Sequence, residues 1–232
     1  MQVTEAIVLA GGLGTRLRET VPDLPKCMAP VNGRPFIAYV IRHLSQQGIT
    51  HFIFSLGYKS DTFIGFLSET LPAGTFEVVV EDAPLGTGGA IQYAAQKARQ
   101  DDFVVVNGDS IFQADIREQA AFHFAHQSCC TLALKAMQNV SRYGTVALAA
   151  NGSVSHFGEK QFFEKGLING GVYLVNKACL LSKGLPEKFS FETDFLQRFY
   201  TAGNIYGLEQ EGYFIDIGIP EDYQRAQTEL TY

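Results

Sequence analysis

A glycine-rich turn near the amino end of the chain has the residue types needed to hold a polyphosphate. The apolar run Ala6–Leu9 opens into G-G-L-G-T-R-L at residues 11–17, and Pro25-Lys26 follows. Glycines let backbone N–H groups approach phosphate oxygens without interference from a Cβ atom, and Arg16 and Lys26 supply the positive charge that a triphosphate requires. The chemistry predicted from this stretch is nucleotidyl transfer.

Two better-known glycine loops do not fit these residues. A Walker loop ends in Gly-Lys-Ser/Thr, whereas this one ends in Gly-Thr-Arg. The dinucleotide-binding fingerprint needs a further glycine three residues after Gly14, where Leu17 stands. Taken alone, the loop also fits a plain strand-to-helix turn with Arg16 on the surface.

Two aspartates that follow apolar residues are candidates for a metal site. V-V-V-N-G-D at residues 104–109 brings Asp109 to the carboxyl edge of a predicted sheet, and Asp216 lies within the apolar segment Tyr213–Pro220. Magnesium prefers one or two carboxylates together with phosphate oxygens and water, and an aspartate in an apolar strand needs a compensating charge. We predict that Asp109 and Asp216 bind Mg²⁺, although each also fits a turn or a helix cap.

Further polar groups suggest contacts with a base, a sugar and a phosphate. A second glycine-rich turn, G-T-G-G at residues 86–89, opens a predicted helix and is suited to backbone contacts with a nucleotide. Lys160 would meet a phosphate monoester, while Glu192 and the turn at Asn169 would bind sugar hydroxyls. Each also fits a plain role as a surface lysine, a β-turn or an acidic helix start.

Alternating strand and helix patterns are expected to position these groups. In the first half, strands are predicted at Ala6–Leu9, Phe52–Leu56, Phe76–Val80 and Phe103–Val106, with helices near Phe36–Gln47, Asp61–Ser68, Thr87–Arg99 and Asp115–Gln127. This rhythm indicates a mainly parallel sheet with helices on both faces and ligands at the strands' carboxyl ends. In the second half, strands are predicted at Thr131–Ala136, Thr145–Ala149, Val154–Phe157 and Asn169–Val175, with helices near Phe191–Ala202 and Glu221–Leu230. We expect an antiparallel or mixed sheet there, forming the second wall of a cleft.

Composition limits the classes of partner. The 232 residues are 46% hydrophobic and carry a net charge of −6 with no run of lysine and arginine, so neither nucleic acid nor an anionic membrane is an expected partner. We expect a single domain, residues 1–232, in the cytoplasm, with no secretion signal. The four cysteines, Cys27, Cys129, Cys130 and Cys179, have no metal-binding spacing and are expected to be free thiols.

Eight spaced motifs together resemble the sugar-1-phosphate nucleotidyltransferases. They are G-G-L-G-T-R-L, L-P-K, P-L-G-T-G-G-A, N-G-D, E-K, N-G-G-V-Y, S-F-E-T-D and D-I-G-I-P-E-D, in this order along nearly the whole chain. The resemblance implies a Rossmann-like three-layer α/β/α fold with a mixed, mainly parallel central sheet and a small antiparallel sugar-binding part. Residues 1–110 would form a nucleotide-binding half and residues 111–232 a sugar-phosphate-binding half, without a C-terminal β-helix domain. It also implies dependence on Mg²⁺ and leaves a homo-oligomer open.

The resemblance also implies roles for individual residues. Nucleotide binding would fall to Leu9, Ala10, Gly11, Gly12, Gly14, Thr15, Arg16, Lys26, Glu81, Gly86, Thr87 and Asp109. Sugar phosphate binding would fall to Gly144, Glu159, Lys160, Asn169, Gly170, Gly171 and Glu192. Arg16, Lys26 and Asp109 would be the catalytic residues, and Asp109 with Asp216 the metal ligands. The chain departs from the family pattern at Cys27, Phe214 and Ile219, where proline, tryptophan and threonine are usual.

Glu81 suggests which base is used. It stands where uridylyl- and thymidylyltransferases of the family commonly carry glutamine. Guanine presents two adjacent N–H donors that an ionised carboxylate accepts together, whereas an amide suits uracil and thymine. We predict GTP as the nucleotide and, since the short chain looks like the heptose 1-phosphate guanylyltransferases, D-glycero-α-D-manno-heptose 1-phosphate as the sugar.

Alternatives to this prediction remain open at the sequence level. The enzyme would otherwise be a mannose-1-phosphate guanylyltransferase or a uridylyl- or thymidylyltransferase for another hexose 1-phosphate. A molybdopterin- or polyol-phosphate-type nucleotidyltransferase shares the first loop but is disfavoured by the E-K, N-G-G and S-F-E-T-D motifs. A nucleotide-binding module without catalysis is disfavoured by both aspartates and both early cations.

Overall fold

The computed structural model describes residues 2–12, 21, 24–57, 59–159 and 161–232. The strands are β1 Glu5–Leu9, β2 Pro30–Val31, β3 Arg34–Pro35, β4 His51–Leu56, β5 Phe76–Val80, β6 Asp102–Asn107, β7 Ser110–Phe112, β8 Cys130–Val140, β9 Val146–Leu148, β10 Val154–Phe157, β11 Phe163–Asn176, β12 Ile205–Glu209 and β13 Phe214–Asp216. The helices are α1 Phe36–Gln46, α2 Ser60–Thr70, α3 Gly86–Ala94, α4 Ile116–Ala125, α5 Lys177–Leu181, α6 Gln197–Phe199 and α7 Pro220–Glu229, with a 3₁₀ turn at Lys26–Met28, a π-helix at Phe191–Leu196 and a second 3₁₀ turn at Tyr200–Ala202.

A seven-stranded mixed sheet forms the centre of the structure, in the order β12-β8-β11-β6-β1-β4-β5. Strand β1 pairs in parallel with both β4 and β6, and β4 pairs in parallel with β5. Strand β11 runs antiparallel between β6 and β8. Because successive strands first extend the sheet on one side of β1 and then on the other, the order reverses between β1 and β6, where open α/β sheets form a ligand crevice.

Side-chain alternation along the central strands builds a core on each face of the sheet. Ala6 and Val8 belong to a cluster covered by α1, α2 and α7, whereas Ile7 between them belongs to a cluster covered by α3 and the π-helix. Successive residues of a strand point to opposite faces, so a strand that is apolar throughout must be covered on both. The fold therefore has the predicted three layers, α/β/α.

The second half of the chain differs from expectation in how its strands are arranged. We expected an antiparallel or mixed sheet forming the second wall of a cleft. The pairing is mixed, but β8, β11 and β12 extend the central sheet instead of forming a second one. Strand β12 was not predicted, because Gly207 interrupts its apolar pattern. That glycine lies against Leu134 of β8, whose Cδ1 would be 2.5 Å from an added Cβ. Strands β9 and β10 do form a separate antiparallel pair.

Helix α3 ends at Ala94 and not near Arg99 as predicted. The backbone N–H groups of Arg99 and Gln100 donate instead to the carboxylate of Glu5, at 2.8 and 3.0 Å. Glu5 is buried at the start of β1 and also contacts His51 Nδ1 at 2.7 Å. A buried carboxylate needs hydrogen-bond donors, and these two amides supply them to Glu5. Because they bond to Glu5, they do not continue α3 to Arg99.

The prediction of four free cysteines was wrong for two of them. Cys129 and Cys179 form a disulfide across 50 residues of sequence. Cys27 and Cys130 are free and buried. Burial raises the pKa of Cys27 to about 12, with the charge of Asp109 adding to the effect, and burial also raises the pKa of Cys130. Both free thiols are therefore protonated, unreactive core residues.

Among the described residues, no helix combines the length and apolar character needed to cross a bilayer. The helices serve instead to cover the two faces of the sheet.

A buried polar cluster beneath α4 makes stability depend on pH. His123 contacts Thr131 Oγ1 through Nδ1 at 2.9 Å and Asp102 Oδ1 through Nε2 at 3.2 Å. Burial lowers the pKa of His123, although the hydrogen bond and charge of Asp102 oppose that shift. The folded state therefore favours neutral His123, whereas the unfolded chain takes up a proton near pH ~6.5.

We expect the free energy of unfolding to fall as the pH drops below ~6.5, with His123 contributing at most ~1.4 kcal/mol per pH unit. In His123→Asn this contribution is lost, so the free energy of unfolding should fall less steeply as the pH is lowered. Urea unfolding at pH 8, 7, 6 and 5.5 measures the slope. The exposed His156 supplies the control, since His156→Asn should keep the wild-type slope; an unchanged slope in His123→Asn would show that the buried histidine does not contribute.

Candidate active site

The carboxyl ends of the parallel strands bring the predicted site residues to one edge of the sheet. Leu9 ends β1 and is followed by Ala10, Gly11 and Gly12, while Asp109 lies just beyond β6. The two segments are joined because Gly108 N donates to Leu9 O at 2.8 Å. They flank the point between β1 and β6 where the strand order reverses. The site therefore lies in the crevice predicted for this topology.

Three charged side chains meet in this crevice. Lys26 Nζ lies 2.6 Å from Asp109 Oδ2 and 3.3 Å from Asp216 Oδ1. The lysine comes from the 3₁₀ turn, and Asp216 comes from β13, which pairs with β7 just after Asp109. Burial alone would lower the pKa of Lys26, but the charges and hydrogen bonds of Asp109 and Asp216 outweigh it and raise that pKa. The ammonium therefore stays charged.

The two carboxylates fit the donor set of a divalent cation. Asp109 and Asp216 converge on one ammonium group, which shows that both oxygens face a single cationic position. Asp216 Oδ1 is held there by Gly218 N at 2.7 Å. Within the described residues no group of three or more His, Cys, Asp or Glu side chains suits a metal ion, so a cation here would take further ligands from phosphate and water.

Glu81 lies beside the first glycine turn. Its Oε1 accepts from Ser55 Oγ at 3.1 Å and its Oε2 accepts from Leu85 N at 3.0 Å. A Cβ on Gly11 would stand 2.9 Å from Oε1. A carboxylate has about four acceptor positions, so each oxygen of Glu81 retains capacity for a further donor.

A hydrogen-bonded chain joins the second glycine turn to the predicted sugar site. Thr87 Oγ1 donates to Glu192 Oε2 at 2.8 Å, and Phe191 N donates to Thr87 Oγ1 at 2.9 Å. The other carboxylate oxygen of Glu192 accepts from Tyr173 OH at 3.5 Å, and that hydroxyl accepts from Asn169 Nδ2 at 2.8 Å. Glu192 belongs to the π-helix, a form that is frequent at functional sites.

Phe189 fills the space beside the second glycine turn and accepts hydrogen bonds from its amides. Gly88 N and Gly89 N donate to Phe189 O at 3.0 and 3.3 Å, and a Cβ on Gly88 would fall 2.1 Å from the Phe189 ring. These amides therefore have a protein partner and are not available to a phosphate, whereas the nucleotide contacts predicted for Gly86 and Thr87 stay predictions. Gly86 takes a left-handed conformation at φ 73°, with Phe189 O lying 2.6 Å from an added Cβ.

The predicted sugar turn interrupts the pairing of β11 with β8. The register shifts between Asn169 and Tyr173, and Asn169 Oδ1 accepts from Gly171 N at 3.0 Å. Gly170 packs on the ring of Phe112, whose Cδ1 would be 2.2 Å from an added Cβ. Asn107 Nδ2 would lie 2.8 Å from a Cβ on Gly171, so the sugar turn adjoins the segment that carries Asp109.

The remaining predicted residues fall into two groups. Gly144 lies against Gly158 O, which would be 3.0 Å from an added Cβ, and the exposed Glu159 follows Gly158 directly. The other predictions lie outside the described residues: Gly14, Thr15, Arg16 and Lys160.

Sequence reasoning missed three side chains that take part in these contacts. Ser55 donates to Glu81, and Tyr173 joins Asn169 to Glu192. Asn107 faces the sugar turn. Tyr173 and Asn107 stand inside motifs that the sequence singled out, N-G-G-V-Y and N-G-D, and that position was the available signal.

The chain matches the family described as nucleotidyl transferase over residues 5–232. The protein belongs to the nucleotidyl transferase family. The match spans both the glycine turn and Asp216, and it confirms that the chain is a nucleotidyltransferase, as the motifs implied.

Several relatives of this nucleotidyltransferase are similar over their whole length. D-glycero-alpha-D-manno-heptose 1-phosphate guanylyltransferase of Aneurinibacillus thermoaerophilus is 44% identical over 228 residues, 98% of this chain and 99% of its own. The protein of the same name in Campylobacter jejuni is 40% identical, with 94% and 96% covered. The crystal structure of HddC from Yersinia pseudotuberculosis shares 35% identity and a TM-score of 0.88 over 99% of this chain and 100% of that one; it has also been solved with GMP-PN.

Proposed function

We propose that this nucleotidyltransferase transfers GMP from GTP to D-glycero-α-D-manno-heptose 1-phosphate, giving GDP-heptose and pyrophosphate. The class of reaction follows from the family. The sugar rests on the relatives with that name, which are 44% and 40% identical over nearly their full length.

One observation carries the choice of guanine, namely the position of the Glu81 carboxylate. It lies beside Gly11 at the carboxyl edge of the sheet, where Oε1 accepts from Ser55 and Oε2 from Leu85 among the described residues. The remaining acceptor positions match the adjacent N1–H and N2–H₂ donors of guanine.

The proposed chemistry needs positioning and charge neutralisation more than proton transfer. A phosphate oxygen of the sugar phosphate attacks the α-phosphorus of GTP, and the bond to the β-phosphate oxygen breaks as pyrophosphate leaves. The nucleophile is already ionised at neutral pH, so no general base is required. Lys26, charged and fixed in the crevice, would neutralise the α-phosphate. Arg16, by its place in the first motif, would hold the triphosphate.

We propose Asp109 and Asp216 as the residues that hold Mg²⁺, because their oxygens already face one cationic position. The ion would supply positive charge next to the phosphate oxygens. Lys26 occupies the position that these oxygens share, so its ammonium would compete with the ion for Asp109 and Asp216.

We place the reaction in the cytoplasm, where GTP is available. The disulfide lies away from the candidate site. Cys129 directly precedes β8, at the edge of the sheet where β6 begins, whereas the crevice lies at the edge where β6 ends.

A grid of reactions tests the proposed function. Pyrophosphate release is measured with Mg²⁺ for GTP, UTP, dTTP, CTP and ATP against the 1-phosphates of the heptose, mannose, glucose and N-acetylglucosamine. We expect the highest kcat/KM for GTP with the heptose 1-phosphate. A preference for mannose 1-phosphate would overturn the sugar, and a preference for UTP or dTTP would overturn the base.

Glu81→Gln is expected to lower kcat/KM for GTP by about 10- to 100-fold, the worth of a hydrogen-bonded charge. The amide can still accept from Leu85 N and donate to Ser55 Oγ, so the side chain should keep its place. Its exposed N–H₂ group would face the guanine donors, and activity with UTP or dTTP relative to GTP should rise. The matched control is the adjacent exposed Asp82→Asn; a Glu81→Gln enzyme with undiminished GTP preference would contradict the assignment.

A further inference from the structure

Asp222 is a buried acid that links two distant parts of the chain. It lies on the first turn of α7, and only 10% of its side chain is exposed. Arg225, on the same helix, donates to its Oδ1 at 2.8 Å, while Arg142 donates to its Oδ2 from a loop 80 residues earlier. Arg225 also pairs with Glu229 at 3.1 Å and so belongs to the helix. Of these two arginines, Arg142 is the one that ties Asp222 to another part of the fold.

Arg142 connects this acid to the side of the site that carries Asp216. The nitrogen that contacts Asp222 also donates to Tyr143 OH at 2.9 Å, and the guanidinium carbon lies 5.4 Å from the centre of the Tyr143 ring. The Tyr143 ring packs edge to face on Phe214, which begins β13, the strand that ends at Asp216. Gly144, a predicted sugar-phosphate residue, follows directly.

A row of three rings, the aromatic ladder Tyr143–Phe214–Phe112, continues from this loop to the sugar turn. The centres of Tyr143 and Phe214 are 5.7 Å apart and those of Phe214 and Phe112 are 6.1 Å apart, both edge to face. The last ring packs on Gly170. Edge-to-face pairs have defined geometry, and the three rings form a continuous packed path from the Tyr143 loop to the turn that starts at Asn169.

We propose that Asp222, acting through Arg142, is a positioning residue that holds the Tyr143–Gly144 loop and the aromatic ladder in place for binding of the sugar phosphate. This inference rests on the proposed function. It assigns a role to Asp222, the last residue of the D-I-G-I-P-E-D motif. The alternative is that Asp222 only stabilises the start of α7, as acids near helix amino ends do.

Kinetics of four variants separate these possibilities. Arg142→Gln and Asp222→Asn are each expected to raise KM for the sugar 1-phosphate about tenfold, with KM for GTP changed less than about twofold. The double variant should be no worse than either single one, because both changes break one linkage. Arg225→Gln removes the other arginine on the same carboxylate and should lower thermal stability without raising KM for the sugar phosphate.

A fluorescence measurement tests the linkage without turnover. The chain contains no tryptophan, so Phe214→Trp places a single indole within the aromatic ladder. In this background, Arg142→Gln and Asp222→Asn should shift the indole emission of the ligand-free protein and weaken binding of heptose 1-phosphate in a fluorescence titration with GMP-PN present. Arg225→Gln should do neither.

Two kinetic outcomes would overturn the inference: equal effects of Arg142→Gln on KM for both substrates, or an effect of Arg225→Gln on KM for the sugar phosphate as large as that of Arg142→Gln. Unshifted emission in Asp222→Asn would also overturn it. If the wild-type enzyme uses no sugar 1-phosphate in the grid, the proposed function fails, and the emission of the ligand-free variants still decides the linkage.

Discussion

Lys26→Ala is expected to lower kcat about a thousandfold, the loss seen when a preorganised charge at a reacting phosphate or oxyanion is removed. Lys26 is held in the crevice by Asp109 at 2.6 Å and Asp216 at 3.3 Å, and in the proposed reaction this positioned charge would neutralise the α-phosphate. Steady-state pyrophosphate release with GTP and heptose 1-phosphate measures the change. A kcat within about tenfold of wild type would contradict the role given to Lys26.

The same variant should respond more strongly to Mg²⁺. Without the ammonium, Asp109 and Asp216 face each other uncompensated, so the ion meets no competitor and relieves their repulsion. We expect Mg²⁺ to raise the thermal midpoint of Lys26→Ala more than that of wild type. Lys97→Ala is the matched control, because Lys97 is exposed in the turn after α3. An equal rise in both proteins would show that Lys26 does not compete with the ion.

Asp109→Asn is expected to reduce kcat at least about a thousandfold while shifting the thermal midpoint by less than about 4 °C. The asparagine keeps the shape of the side chain but loses the charge that would bind Mg²⁺ and that holds Lys26. Since 39% of the Asp109 side chain is exposed, little stability depends on it. Activity is measured across a range of Mg²⁺ and Mn²⁺ concentrations.

Asp109→Asn should also change the response to Mg²⁺ in the opposite direction to Lys26→Ala. Adding Mg²⁺ should raise its thermal midpoint less than that of wild type. Asp101→Asn serves as the control, because Asp101 is exposed just before β6, at the other end of that strand. Full activity of Asp109→Asn at raised Mg²⁺ would mean that Asp216 alone suffices for the ion.

Local patterns were enough to predict most elements of the fold. Strands β5 and β10 have the predicted bounds, Phe76–Val80 and Val154–Phe157, because alternation and buried runs mark them clearly. The β2–β3 hairpin was missed although Asn32-Gly33 is a strong turn signal; both residues have positive φ, at 48° and 77°. The early end of α3 had no local signal, because the carboxylate responsible is Glu5, 94 residues from Arg99.

The contacts in the candidate site could be predicted from the sequence where the order of strands and helices alone brings the residues together. Asp109 follows a parallel strand, so its meeting with the first glycine turn could be expected from the order of elements. The bond between Thr87 and Glu192 joins residues 105 apart and depends on how the π-helix packs against α3, which no spacing reveals. The disulfide was missed for the same reason, because Cys129 and Cys179 are adjacent only after β8 and β11 pair.

That cross-link divides the chain into an open part and a covalent ring. The ring contains Gly144, Glu159 and Asn169, which are predicted to bind the sugar phosphate, whereas the glycine turn and Glu81 lie on the open part. A single protease cut within residues 130–178 would leave the two fragments attached. They would migrate together on a denaturing gel and separate only after a thiol reductant is added.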